Sequence, residues 1–411
     1  MTRSVLLGSS GDGTAPYDAP MRPLREPRFR RVAWAVLAVV GWSGLLWIGT
    51  VLASLEPPRA GDDLRLLVDA ARRLVDGAPL YSAGGARDSL LAESLFYSYP
   101  PPVAQALVPV SGLPFGSVLL LWGTGATAGL ALVAHLAGRP AGGMVLPTLA
   151  LAPYTMPFAV ALLFGNLDAW FPLAFGLVLI GVVSRTRGAT IAGGIALAAV
   201  SMAKLHPFTL GLWLVARGTR LRRSAPEVGL AAVALVAGLG IVAASLLVGG
   251  TDPWADYVEF LRSGAATADL VGRLNIGPAS EAALLLGLDD GAARSIQVVV
   301  LLAALGVTLA AGWRVRDPVV SFGLATTASL VVLPVTWVHY PVALIPVALA
   351  TAARAPEGTR AIVGSLLAAA IVVAAVAVVV PPLMWVAVVL VLAAAQVSGR
   401  AAQVPAGDPA S

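Results

Sequence analysis

The longest polar interval in the chain opens Gly61-Asp62-Asp63-Leu64-Arg65-Leu66-Leu67-Val68-Asp69-Ala70-Ala71-Arg72-Arg73-Leu74-Val75-Asp76-Gly77-Ala78-Pro79-Leu80-Tyr81 and, after a polar linker, closes Phe96-Tyr97-Ser98-Tyr99-Pro100-Pro101-Pro102. Leu64, Leu67, Val68, Ala71, Leu74 and Val75 recur at helical spacing, which predicts a short amphipathic helix capped by Asp62 or Asp63. Gly77 and Pro79 stop that helix. The interval sits directly after a long apolar run, so its paired carboxylates lie just outside a first membrane span.

Working outward, the rest of the chain is apolar. Of 411 residues, 58% are hydrophobic and 12% charged, with a mean hydropathy of +0.85. Soluble domains carry about 25% charged residues. Several runs are long enough to cross a hydrocarbon layer of about 30 Å. The expected class is an all-α polytopic membrane protein. Cysteine is absent, so disulfides, a thiol nucleophile and thiolate metal sites are excluded. With only His135, His206 and His339, a His-rich zinc centre is not expected.

Residues 1–31 read as a disordered, basic, cytoplasmic N-terminus. Gly8-Ser9-Ser10-Gly11-Asp12-Gly13 superficially resembles a phosphate loop, but no strand precedes it and no Lys follows. Arg22, Arg25, Arg28, Arg30 and Arg31 then lead into the apolar run Val32 to Leu52, a retained anchor with its N-terminus inside. A single transmembrane domain follows over 32–400, with outer loops near 53–102 and 250–295 and a cytoplasmic tail at 401–411. Apolar segments after the first loop predict about 11–12 spans in all. Alternating them puts 18 of the 27 basic residues inside and 15 of the 22 acidic residues outside. The net charge of +5 therefore belongs to the cytoplasmic face and implies no nucleic acid.

Three stretches start and end at inner arginines, so each is a hairpin with an outward apex. The apices are Gly165-Asn166-Leu167-Asp168, Lys204-Leu205-His206-Pro207 and Pro334-Val335-Thr336-Trp337-Val338-His339-Tyr340-Pro341. A fourth outward loop carries Trp254, Tyr257, Glu259, Arg262, Arg273 and Asn275. The unusual polar residues thus converge on the side of Asp62 and Asp63. Ionisable groups near membrane depth are costly and generally serve a function. A carboxylate there suits general-base work on an acceptor hydroxyl. Lys204, His206, Arg262 or His339 would receive a phosphate leaving group, and Tyr97, Tyr99, Trp254 and Trp337 would stack on sugars or anchor the interface. Each also has a plain structural reading: helix caps for Asp62, Asp63 and Asp168, snorkelling for Lys204, a structural role for His135, helix packing for Gly125 to Gly129. The clustering on one face favours a site.

These residues also resemble a known family. Asp63-Leu64, Ala70-Ala71, Leu74, Gly77 and Leu80-Tyr81, with Phe96-Tyr97-Ser98-Tyr99-Pro100-Pro101, look like the first outer loop of glycosyltransferase family 87, whose members are polyprenyl-phosphate-mannose-dependent α-(1→2)-mannosyltransferases and relatives with the GT-C membrane fold. Gly165-Asn166-Leu167-Asp168 stands where the family has a Gly-Gln-x-Asn-like turn. Ala203-Lys204-Leu205-His206-Pro207 resembles its Lys-x-x-Pro hairpin, and Pro334 to Tyr340 its Pro-x-Ser-Trp-x-His-His segment. Here Tyr340 replaces the second histidine, Asn166 and Asp168 replace Gln and Asn, and an Asn-rich outer motif is reduced to Arg273-Leu274-Asn275. The resemblance implies Asp63, or Asp62, as catalytic base, with Lys204 and His339 at the donor phosphate. From their clustering on the same face, His206, Trp337, Tyr97, Tyr99, Asn166, Asp168 and Arg262 are expected as further substrate contacts.

The expected function is transfer of a hexose, mannose in α-1,2 linkage, from a polyprenyl-phosphate sugar to a glycolipid or cell-wall glycan acceptor on the outer face of the plasma membrane. The resemblance implies inversion by direct displacement. Membrane lipids are the other expected partners. No cofactor is expected, and the sequence leaves a divalent metal open. The alternatives are an arabinofuranosyltransferase with the same kind of donor, a lipid or sugar transporter or flippase, and an inactive scaffold. A transporter predicts internal repeats and ionisable residues at mid-membrane; the chain shows no convincing repeat, and its polar groups fall at hairpin apices.

Overall fold

A computed structural model describes residues 27–81, 96–138, 143–221, 225–263, 270–272 and 274–401. Residues 1–26 of the expected disordered N-terminus, residues 402–411 of the expected tail, the Gly8 to Gly13 stretch and Arg273 lie outside them, whereas residues 27–31 are not disordered but already form the start of the first helix. Among the described residues there are seventeen α-helices: α1 (Pro27–Ala53), α2 (Asp62–Val75), α3 (Pro101–Leu107), α4 (Phe115–Ala137), α5 (Val145–Leu151), α6 (Met156–Leu163), α7 (Phe171–Ser184), α8 (Arg187–Ala203) and α9 (Thr209–Leu221), then α10 (Pro226–Gly249), α11 (Asp252–Arg262), α12 (Pro278–Leu286), α13 (Asp290–Arg314), α14 (Pro318–Leu330), α15 (Ile345–Arg354), α16 (Arg360–Val376) and α17 (Leu383–Ala401). The one β feature among them is an isolated antiparallel bridge between Asn275 and Trp337. The chain is an all-α polytopic membrane protein.

Among the described residues, seven helices are long and apolar enough to cross a membrane: α1, α4, α7 with the turn before it, α10, α13, α16 with the turn before it, and α17. The apolar segment over 143–163 is not one continuous helix but α5 and α6, bent by 73° at a break. Pro153 and Pro157 flank that break, and proline removes the backbone donor a continuous helix needs. Three further apolar helices are shorter, Arg187–Ala203, Pro318–Leu330 and Tyr340–Arg354. At 1.5 Å per residue, the 13 residues of α14 reach about 20 Å, short of the hydrocarbon thickness. Helices that stop short leave their polar apices recessed among neighbouring helices. That is why Lys204, His206 and His339 are buried.

The core surrounds α7. Phe171, Phe175, Trp213 and Phe322 are fully buried, Trp213 meets Phe322 edge-on with centroids 5.4 Å apart, and the Trp213 indole donates to Ser321 Oγ at 2.8 Å. Close helix approach relies on glycine. A Cβ on Gly125 would lie 2.5 Å from Trp170, and one on Gly129 would lie 3.0 Å from Leu173, the packing role expected for that pair. At the arginine-rich end of the bundle, Arg217 Nε donates to Glu227 Oε1 at 3.0 Å and its Nη atoms donate to the carbonyls of Val315 and Arg316. Arg354 Nη1 grips both Asp317 oxygens at 2.8 and 2.6 Å. These arginines tie helix ends together as well as placing charge.

Candidate active site

The amphipathic helix forms as α2, and Leu64, Leu67, Val68 and Ala71 are buried on one face, whereas Val75 in its last turn is exposed. Its cap differs from expectation. Residue Gly61 takes the cap position at φ 72°, and no side chain caps the helix. The first N–H groups are met by main chain instead: Gly61 donates to the Leu163 carbonyl at 2.9 Å, and Asp63 and Leu64 donate to the Phe164 carbonyl at 3.0 and 3.3 Å. The C-terminus of α6 thus satisfies donors that Asp62 or Asp63 would otherwise have served. Both carboxylates are released from capping, and α2 is seated against the Gly165 apex. Gly165 itself sits at φ 65°, and a Cβ there would lie 2.5 Å from Leu64 Cβ.

The two carboxylates then part. Asp62 is buried with Oδ2 3.8 Å from Arg59 Nη1. Asp63, half-buried, accepts from Asn166 Nδ2 at 2.7 Å through Oδ2. Burial raises the proton affinity of Asp63 above the ordinary carboxylate range, opposed by His339, the Asn166 hydrogen bond and Lys204, and assisted by Asp168. Asn166 also accepts the Asp168 backbone N–H at 2.9 Å, so one amide side chain ties the Asp63 carboxylate to the main chain at Asp168.

Asp168 is fully buried at the end of the first apex. Lys204 Nζ lies 2.7 Å from its Oδ1 and donates to its Oδ2 at 2.9 Å, and His339 Nε2 lies 3.3 Å from the same Oδ2. Lys204 is therefore an ion-paired, buried lysine; its extended backbone after α8 turns it inward. Its Nζ also lies 3.9 Å over the Tyr340 ring. His206 stacks on the other side of this region, 5.9 Å from Tyr340 between ring centres and 5.6 Å from Phe171, with Nδ1 3.4 Å from Ser329 Oγ. Three apices from three distant parts of the chain so meet α2 at one place.

Other expected residues take different positions. Tyr99 is within electrostatic reach of Lys204, Asp63 and Asp168, and burial pushes its phenol up. Tyr97 is buried in the loop, where its hydroxyl donates to the Pro100 carbonyl and accepts from the Ala104 N–H. Trp337 pairs with Asn275 in the β bridge. Arg262 is exposed at the end of α11 and takes no part in the hydrogen bonds around the carboxylates. Asn275 was visible in the sequence as one polar residue of the fourth outward loop and as a remnant of a motif, with no role attached. It donates to the Leu270 and Pro334 carbonyls at 2.8 and 3.0 Å and accepts from the Gly277 and Thr336 N–H groups at 2.9 and 2.8 Å, clasping the segment that carries His339. Tyr340 had drawn notice only as a departure from the family pattern, and it is the aromatic face beneath Lys204.

A buried cation–carboxylate cluster with a flanking carboxylate is an arrangement suited to group transfer, and it makes this place the candidate site. The sequence profile of glycosyltransferase family 87 matches residues 97–336, more than half of the chain, and the chain belongs to that family. It is a membrane glycosyltransferase. It is 27% identical to the polyprenol-phosphate-mannose-dependent α-(1-2)-phosphatidylinositol mannoside mannosyltransferase of Mycolicibacterium smegmatis over 365 residues, 78% of this chain and 76% of the relative. It is 25% identical to the corresponding phosphatidylinositol pentamannoside mannosyltransferase of Mycobacterium tuberculosis over 347 residues, 82% of this chain and 76% of the relative.

Proposed function

We propose that the protein transfers mannose, in α-1,2 linkage, from a polyprenyl-phosphate donor to a glycolipid or cell-wall glycan acceptor at the outer face of the plasma membrane, with both termini cytoplasmic. The observation that carries this reading is the placement of Asp63. It is released from capping, raised in proton affinity by burial and held by Asn166 beside the Asp168–Lys204–His339 group.

The chemistry follows from those positions. Asp63 withdraws the proton from an acceptor hydroxyl as the hydroxyl oxygen attacks the anomeric carbon. The bond from that carbon to the phosphate oxygen breaks, and the phosphate keeps the electron pair. Direct displacement from the opposite face inverts the anomeric centre. Lys204 and His339 receive the growing phosphate charge, with Asp168 holding both in place before the donor arrives. An outward site agrees with a lipid-linked donor, because nucleotide sugars are cytoplasmic.

Purified protein in detergent is offered polyprenyl-phosphate-mannose and a mannosylated phosphoinositide, and the product is analysed for linkage. Wild type is expected to form an α-1,2-linked product. Asp63→Asn should lose about 10²- to 10⁴-fold in kcat, the range for removing a general base, and Asp62→Asn should lose far less. Transfer of arabinofuranose but not mannose would overturn the sugar assignment. Full transfer by Asp63→Asn would overturn the mechanism.

A further inference from the structure

Helix α1 is fastened at its lower half and stands off above it. The Tyr154 hydroxyl donates to the Leu37 carbonyl at 3.1 Å and the Trp42 indole to the Leu149 carbonyl at 2.9 Å, while Gly41 lies flush against Tyr154. Beyond that point α1 and α4 enclose a cavity of about 720 Å³. Gly49 and Ala53 line it from α1, Gly116 and Gly123 from α4, and Ala60 and Leu163 from the side of α2. Its mouth bears Leu46 and Leu120, both 71% exposed.

The cavity is built for an apolar occupant. Two of its threonines spend their hydroxyls within their own helices, Thr50 on the Trp47 carbonyl at 2.7 Å and Thr127 on the Gly123 carbonyl at 2.8 Å, and Trp42 spends its N–H on α5. A water or polar ligand would find few partners there. The end at Ala60 and Leu163 adjoins the start of α2: Leu163, which lines the cavity, also offers its carbonyl to the Gly61 N–H, two residues before Asp63. An apolar slot ending beside the helix that carries Asp63 fits one amphiphile whose apolar chain is joined directly to an ionic group.

We propose that this groove holds the prenyl chain of the donor, and that the donor reaches the active site laterally from the lipid between α1 and α4. The proposal rests on the functional reading above. The donor is favoured over the acceptor by reach. In a polyprenyl-phosphate sugar the chain joins the reacting phosphate directly, so the chain's end must fall beside the reacting groups, as this groove does. A glycolipid acceptor interposes its sugar headgroup between the reacting hydroxyl and its acyl chains.

Gly116 and Gly123 supply the test, because a Cβ on either meets open space, so larger side chains fill the groove without striking the fold. In transfer assays, Gly116→Leu and Gly123→Leu should lower the ratio of kcat/KM for decaprenyl- over citronellyl-phosphate-mannose by about tenfold, the cost of losing contact with roughly two buried CH₂ groups. Gly364→Leu, an equally open glycine on α16, should leave that ratio as in wild type. An unchanged ratio in both groove variants, or a rise confined to the KM of the acceptor, would overturn the proposal. A second measurement does not need turnover. Photolysis of a diazirine-bearing decaprenyl phosphate should label peptides containing Leu46 or Leu120, and labelling confined to other helices would sink the groove assignment. Labelling there without sugar transfer would instead leave the groove standing and remove the proposed function.

Discussion

At the scale of single residues, Asp63 joins function to a cost in stability. Its raised folded pKa means the native state holds this proton more tightly than the unfolded chain, whose carboxyl titrates near 3.8. Above 3.8 and up to the raised value, stability therefore falls as pH climbs, and above that window the folded protein carries the full penalty of an ionised, desolvated carboxylate. Catalysis runs the other way, since a general base must be ionised. The acid limb of kcat/KM is expected above the ordinary carboxylate value, and Asp63→Asn is expected to show a higher Tm than wild type at neutral pH. A Tm that drops on this substitution would contradict the balance of burial over its partners. The Asp168–Lys204 pair behaves differently, because each partner neutralises the other. Asp168→Asn or Lys204→Met alone leaves a buried charge and should cost about 3–5 kcal/mol. The double variant should recover a large part of that loss in unfolding experiments, and simple additivity would show that the pair is not coupled.

At the scale of elements, the candidate site depends on how α2 is seated. Gly165 combines a positive φ with a Cβ position 2.5 Å from Leu64, so Gly165→Ala must push α2 away. The expected cost is about 1–3 kcal/mol, together with a fall in kcat as Asp63 leaves Asn166; unchanged kcat would show that α2 can move without harm. Much of this element was legible beforehand. The spacing of Leu64, Leu67, Val68 and Ala71 gave the helix, and Gly77 gave its end, because both signals are local. The cap was not legible, because its acceptors, the carbonyls of Leu163 and Phe164, lie about a hundred positions away and belong to main chain, which every residue has. The same reason hid the role of Asn275, whose four partners are all backbone groups. The pairing of Lys204 with Asp168 was half visible. Both residues stood out as polar apices, but only the three-dimensional meeting of the hairpins shows that they neutralise each other.

At the scale of the whole molecule, the bundle has two chemically distinct ends, and which end faces out is a separate question from what each contains. One end joins α2 to the apices bearing Asn166, Asp168, Lys204 and His339. The other is tied by Arg217 with Glu227 and by Arg354 with Asp317. Such pairing weakens a plain count of arginines as topological evidence, since a neutralised Arg217 contributes less to orientation than a free one. Acidic residues add little to that rule, so among the described residues the remaining bias rests on Arg28, Arg30, Arg31, Arg185, Arg187, Arg220, Arg314, Arg316, Arg360 and Arg400, and these still favour that end inside. The absence of cysteine makes the matter directly testable, because every introduced thiol is unique. Asp256 is exposed on α11, and Glu357 is exposed before α16. In intact cells a membrane-impermeant maleimide should label Asp256→Cys and spare Glu357→Cys, which should react only after permeabilisation. The reverse pattern would put the carboxylate cluster in the cytoplasm, where nucleotide sugars are present and a lipid-linked donor loses its rationale.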